Sequence, residues 1–142
     1  MSQFLNIRIN RSKLTDCSVK INNAGASCVE VDKEGLKEID ATVKKFLYDF
    51  KGNALEANGW GMMLPAYSIS KASFNAYTRV LSKKNPDILI NCVHPGFVGT
   101  DLNWHKGTMT VDQGARGPVM LALLPDEGPT GCYFDCTELA EF

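Results

Sequence analysis

Leu36, Ile39, Val43, Phe46, Leu47 and Phe50 recur at steps of three and four, with one doubled position. That spacing predicts an amphipathic helix, with Asp32 or Asp40 as N-cap and Gly52 near its end. A break follows at Asn58-Gly59-Trp60-Gly61, and Pro65 stands before a second predicted helix, about Ala66 to Lys84, which Pro86 ends. Ile88 to Val93 is a continuous apolar run, the pattern of a buried parallel strand, and it empties into Pro95-Gly96. Thr110 and Gln113 form a capping box, so a third helix is expected there, although Gly114, Gly117 and Pro118 weaken its body. Pro125 to Gly131 reads as a loop and Cys132–Phe134 as a last short strand. At the other end, Leu5, Ile7 and Ile9 alternate with Asn6, Arg8 and Asn10, a strand period. Val19–Ile21 is a short strand end running into Asn22-Asn23-Ala24-Gly25. Strands alternating with helices predict an α/β fold, a parallel sheet flanked by helices. No two strands lie close enough in sequence for a tight hairpin.

Composition narrows the class. A chain of 142 residues with 44% hydrophobic and 22% charged residues is a globular domain or part of one, not a disordered chain. A net charge of -1 gives no reason to expect nucleic acid or an anionic membrane as partner. The longest apolar run near the C-terminus, Val119 to Leu124, is far short of the roughly 20 residues that span a bilayer. The five cysteines have no repeating spacing, and Cys132 and Cys136 lack a second pair for a zinc site. Free thiols and no metal are expected. Arg8, Arg11 and Lys13 faintly resemble a transit peptide, but the strand alternation there argues against one, so the expected compartment is the cytoplasm.

Tyr67 and Lys71 lie four apart on the second helix and share a face. Ionising a phenol near neutrality needs a shift of about three units from its usual value of roughly 10, or about 4 kcal/mol. An ammonium about 4 Å away supplies about that much at an effective dielectric of about 20. A tyrosine so placed can protonate a carbonyl oxygen as hydride arrives, or remove the proton in reverse. With 4 Tyr and 11 Lys such a pair arises about 0.3 times by chance, so the spacing alone is weak and fits a solvated helix face better.

Context separates the two readings. Asn22-Asn23-Ala24-Gly25 follows a strand, Tyr67-x-x-x-Lys71 opens a helix, and Pro95-Gly96 ends the next strand, with Val98 and Thr100 beyond. This set in this order resembles the short-chain dehydrogenase/reductase family. The wording of Tyr67–Ala72, Asn75–Leu81, Asn91–Gly96 and Gly128–Gly131 is similar to its plant salutaridine reductase and neomenthol (menthone) dehydrogenase group. Phe46–Phe50 followed by Asn58-Gly59-Trp60 looks like the insertion that sets that group apart. The resemblance runs from about Ile21 to the C-terminus.

The resemblance implies a Rossmann-like domain and reduction of a ketone or aldehyde on a small terpenoid- or alkaloid-like molecule, with NADP(H) as cofactor. Tyr67 would be the acid/base, and Lys71 would lower its pKa and bond the nicotinamide ribose. Asn22, Ala24 and Gly25 would line the cofactor crevice. Pro95, Gly96, Val98 and Thr100 would contact the nicotinamide amide and nearby phosphate, outside the carboxyl ends of the strands. The insertion around Val43–Trp60 resembles a segment that covers the usual pairing face, which implies a monomer.

The departures are two. The family opens on Thr-Gly-x-x-x-Gly-x-Gly, which holds the pyrophosphate at a helix start; no glycine precedes Ala24. The family's long helix and Ser-bearing strand have no counterpart between Gly25 and Ile39, and Ser27, Ser68, Ser70 and Ser73 do not take that serine's role. Residues 1–142 are therefore expected to form one partial domain that grips NADPH poorly, with Ile88–Val93 short of a neighbour strand. A non-catalytic remnant is the competing reading. His94 is expected to act only as a loop residue. Trp104 and His105 would edge a pocket or cap a loop, and Phe74, Tyr77 and Val80 would be core.

Overall fold

A computed structural model describes residues 4–9, 20–23, 35–61 and 63–141, the first two segments as backbone only. Strands β1 (Phe4–Ile9) and β2 (Lys20–Asn23) precede helices α1 (Gly35–Lys51) and α2 (Pro65–Lys84). Then come β3 (Ile88–His94), a short 3-10 turn at Asp101–Asn103, α3 (Val111–Ala122), β4 (Tyr133–Asp135) and β5 (Glu138–Ala140). The fold is α/β, as its periodicities require.

The sheet runs β2-β1-β3-β4-β5. It is mixed rather than parallel: only β3 and β4 pair parallel, and the other three pairings are antiparallel. β3 does not lack a neighbour, because β1 lies along it from Phe4↔Val93 to Ile9↔Ile88. β4 and β5 form a tight hairpin through Cys136 and Thr137, with Cys136 in the left-handed region at φ 55. A non-glycine residue there carries none of the usual Asn-Gly or Asp-Gly signal, which is why the turn does not read from sequence. The last strand before it begins at Tyr133, one residue later than expected.

β3 is buried on both faces, and its pleat divides the core. Ile90 and Cys92 face α2 with Phe74, Leu81 and Tyr133. Val93, with Leu121 and Phe134, faces α3. Burying each of these large side chains contributes about 1.5–3 kcal/mol. Asn85 ends α2: its backbone and side-chain amides both donate to the Leu81 carbonyl, at 3.0 and 2.8 Å, before Pro86 stops the helix.

In α3, Thr110 and Gln113 make the reciprocal cap that their spacing implies. Its two glycines are contact points. A Cβ on Gly117 would sit 2.2 Å from the Cys136 carbonyl oxygen, and one on Gly114 would sit 2.3 Å from Val98. Close approach of the helix to the hairpin and the loop offsets their low helix propensity.

In α1 only part of the expected stripe is covered. Phe46 is buried and Ile39 packs on Ala76 and Val80 of α2, but Leu36, Leu47 and Phe50 are exposed. Asp40 lies inside the helix and is not its cap, and Asp32 is outside the described residues. Residues 52–60 fold back over the helix end. Trp60 meets Phe46 edge-on at 5.3 Å, and its indole N–H donates to buried Asp49 at 2.8 Å. The bond to Lys45, then that to Trp60, holds the Asp49 carboxyl below its usual value.

Candidate active site

α2 starts at Pro65, where a missing N–H costs nothing, after Leu64 in the left-handed region at φ 50. Tyr67 and Lys71 stand in its first turns on one face, and Asn75, Thr78 and Ser82 continue that face as a buried polar stripe. The Lys71 ammonium lies 5.1 Å from the centre of the Tyr67 ring. The Tyr67 hydroxyl and the Asn75 carbonyl oxygen are buried with no partner among the described residues. Asn75 was not singled out from the sequence; its place four residues beyond Lys71 is the signal that could have found it.

The electrostatics differ from the expectation in one respect. Burial pushes the Tyr67 phenol up from its usual value and the Lys71 ammonium down. Desolvation disfavours the charged form of each. The phenol is thus held as neutral O–H, the form that donates a proton.

The end of β3 supplies the second part. Pro95 is fully buried, and Gly96 takes φ +83, with Met109 Sδ 2.1 Å from where a Cβ would be. The Gly96 amide donates to His94 Nδ1 at 3.2 Å. Val98 and Thr100 are fixed by a tied loop. Gly99 N–H donates to Met109 O at 2.9 Å, and Met109 N–H donates to Phe97 O at 3.0 Å. Asn103 accepts from the Thr100 amide at 2.9 Å and donates to Val98 O at 2.7 Å. Trp104 is 79% exposed and His105 pairs with Asp101 at 2.9 Å in the open, so neither walls a closed pocket. Tyr77 is half-exposed rather than core, whereas Val80 is buried and Phe74 packs on the β3 core.

These parts converge on one end of the sheet. Asn85–Asp87 is a short connection, so α2 runs back along β3. Thr78 neighbours Cys92, and Lys71 and Tyr67 lie about two and three turns further toward the carboxyl end of β3. Asn23 and Val93 both pair with Phe4, so Asn22 also comes to this end, on a strand running the same way as β3 but one strand removed. Ala24 and Gly25 lie outside the described residues. A cavity of about 490 Å³ opens elsewhere, between α1 and the Ser70–Tyr77 side of α2, and none of these site residues lines it.

Among the described residues no group of three or more His, Cys, Asp or Glu could hold a metal. Cys92, Cys132 and Cys136 are free thiols. No described helix is long and apolar enough to cross a membrane.

No family model matches this chain. Salutaridine reductase of Papaver bracteatum is 45% identical over 136 residues, which are 94% of this chain and 44% of that protein. The (+)-neomenthol dehydrogenase of Arabidopsis thaliana is 45% identical over 123 residues, 84% of this chain and 42% of its own length. The chain thus spans less than half the length of these curated relatives. The solved structure of salutaridine reductase from Papaver somniferum superposes with a TM-score of 0.66 at 47% identity, covering 70% of this chain and 33% of that one.

Proposed function

We propose, from the premise that this chain is homologous to the plant short-chain dehydrogenase/reductases, that it carries the carbonyl-reducing end of such an enzyme. The substrate would be a ketone or aldehyde on a small hydrophobic molecule of terpenoid or alkaloid type. One observation carries the reading: a buried, unpartnered Tyr67 hydroxyl beside Lys71, at the carboxyl end of β3, in a stretch closely similar to known reductases. NADPH, when bound, would supply the hydride. Two observations support a fit to its nicotinamide half: the Tyr67 hydroxyl has no partner among the described residues, and Gly96 leaves no room for a side chain in the turn that ends β3, the sheet end where such ligands sit. The chain has no glycine-rich turn that fits the pyrophosphate half.

In this reading the neutral Tyr67 O–H donates its proton to the substrate oxygen. Lys71, 5.1 Å from the ring centre, would stabilise the phenolate left behind and bond the cofactor ribose. Pro95, Gly96, Val98 and Thr100 would orient the nicotinamide, and by the resemblance Asn22, with Ala24 and Gly25 outside the described residues, would belong to the crevice. The chain would work as a monomer, since α1 already covers Ala76 and Val80 of α2. Its compartment would be the cytoplasm.

A second reading, a non-catalytic chain with at most a binding role, is favoured by β1. Its antiparallel pairing fills the flank of β3, and no described strand bears a serine beside Tyr67. Titration with NADPH, followed by fluorescence or heat, and NADPH oxidation with cyclic ketones decide between the two. Under the reductase reading Tyr67→Phe loses at least about 100-fold in turnover with the fold intact. A Phe variant as active as the parent, or no NADPH binding at millimolar concentration, sinks that reading.

A further inference from the structure

We propose that His94 is a two-state positioning residue for the Pro95–Gly96 turn, holding the Gly96 amide when its imidazole is neutral and turning to Asp135 when it is protonated. The inference deepens the reductase reading, which is what sets the nicotinamide against this turn. It starts from one nitrogen with two claimants. Gly96 N–H lies 3.2 Å from His94 Nδ1, and the Asp135 carboxylate oxygen lies 3.1 Å from the same atom.

A ring nitrogen either accepts or donates. With its proton on Nε2, the neutral ring offers a lone pair at Nδ1 to the Gly96 amide and nothing to Asp135. Protonated, Nδ1–H donates to the carboxylate, and the buried Gly96 amide loses its acceptor. The first state reproduces a turn in which a side-chain acceptor bonds the backbone N–H two residues on, the arrangement Asn and Asp make routinely. Nε2 is buried with no partner among the described residues, and it carries a proton in both states, so it does not choose between them.

The surroundings let the change occur. The His94 side chain is 12% exposed and that of Asp135 is 60% exposed, so a proton reaches the pair from the Asp135 side. From β4 the facing group is Asp135, and from the hairpin turn it is Cys136, whose thiol burial and Asp135 keep protonated. Glu138 of β5 pairs with Asp135 in register. Tyr67 and Lys71 stand at this end from α2. On α3, exposed Arg116 adjoins Gly117, which meets Cys136. On the β1 side Phe4 pairs with Val93. Cys136 N–H donates to the His94 carbonyl at 2.7 Å, so the backbone stays fixed while the ring changes partner.

Amide exchange at Gly96 and imidazole nitrogen NMR on the full chain test this, across the range of about pH 5 to 8 in which histidines change charge. The neutral ring is expected as the Nε2–H tautomer. Gly96 protection should fall about five- to tenfold as the ring protonates, the worth of one hydrogen bond. In His94→Asn the side-chain carbonyl accepts at every pH, so protection persists. In His94→Leu it is lost at every pH. In Asp135→Asn the protonated ring has lost its carboxylate acceptor, so the imidazole Nδ1–H should exchange with water faster than in the parent. Protection that ignores ring protonation, that survives in His94→Leu, or that accompanies an Nδ1–H neutral tautomer overturns the proposal. Should His94→Leu fail to fold, Asp135→Asn decides, and an unchanged Nδ1–H exchange rate overturns the proposal. NADPH titration keeps the two readings apart: a chain that binds no NADPH sinks the reductase reading, while the Gly96 measurement still judges His94.

Discussion

Near the start of β3, Thr130 Oγ1 accepts the Ile90 amide at 3.0 Å and donates to Ile88 O at 3.3 Å. Buried Asn91 donates to Pro129 O at 2.7 Å and accepts from the Cys132 amide at 3.1 Å. At the other end of the strand, the Tyr67 hydroxyl and His94 Nε2 are buried with no hydrogen-bond partner among the described residues. The same sheet thus closes its polar groups at one end and leaves them open at the other. Unmet polar groups cost free energy, so these are the groups for which water or a ligand would be the partner. The paired end holds the Gly128–Gly131 loop to the strand, and the open end is where chemistry can occur.

Substitutions can break that contrast. Asn91→Leu should be the most damaging, about 3 kcal/mol, because it strands the Cys132 amide and the Pro129 carbonyl together. Urea unfolding measures it, and a loss below about 1 kcal/mol would show the loop held by other means. Thr130→Val removes one acceptor from a more open position and should cost about 1 kcal/mol, with the site unchanged. Tyr67→Phe belongs to the open end and should behave oppositely, changing stability by less than about 1 kcal/mol or raising it, since it deletes a hydroxyl with no partner among the described residues.

The smallest effect lies away from β3. Asp49 is held below the usual carboxylate value, so its stabilising contribution is complete above about pH 3.8 and is lost as pH falls through the lower folded value. In a Trp104→Phe background, Trp60 fluorescence should report that acid transition. Asp49→Asn should remove it while leaving the exchange of β3 amides alone. A transition that persists in the Asn variant would place its cause elsewhere.

Much of this architecture is legible in the sequence, where the determinants are local. The stop at Pro86 and the Thr110–Gln113 cap fix helix ends through residues a few positions apart. The Leu5–Ile7–Ile9 alternation marks β1 as a strand. Its antiparallel seat on β3 is a pairing across some eighty positions, which no local pattern encodes. The stripe of α1 is visible, but which part is covered depends on where α2 lies. The Tyr67–Lys71 pair is equally plain. The direction of the phenol's shift is not, because it is set by burial, and burial belongs to the folded chain. His94 and Asp135 are 41 positions apart and meet only because β3 and β4 pair in parallel.

Cys92 sits at the centre of the strand that joins these two ends. It is 1% exposed, with its thiol pushed up to about 12, chiefly by burial. The thiolate is the reactive form, so a thiol reagent near neutral pH meets almost none of it while β3 is covered. Cys132 and Cys136 are less deeply buried and serve as internal references. Labelling of Cys92 therefore acts as a clock for the whole molecule, advancing only when α2 lifts from the sheet, and its rate relative to an unfolded thiol reads out how often that happens.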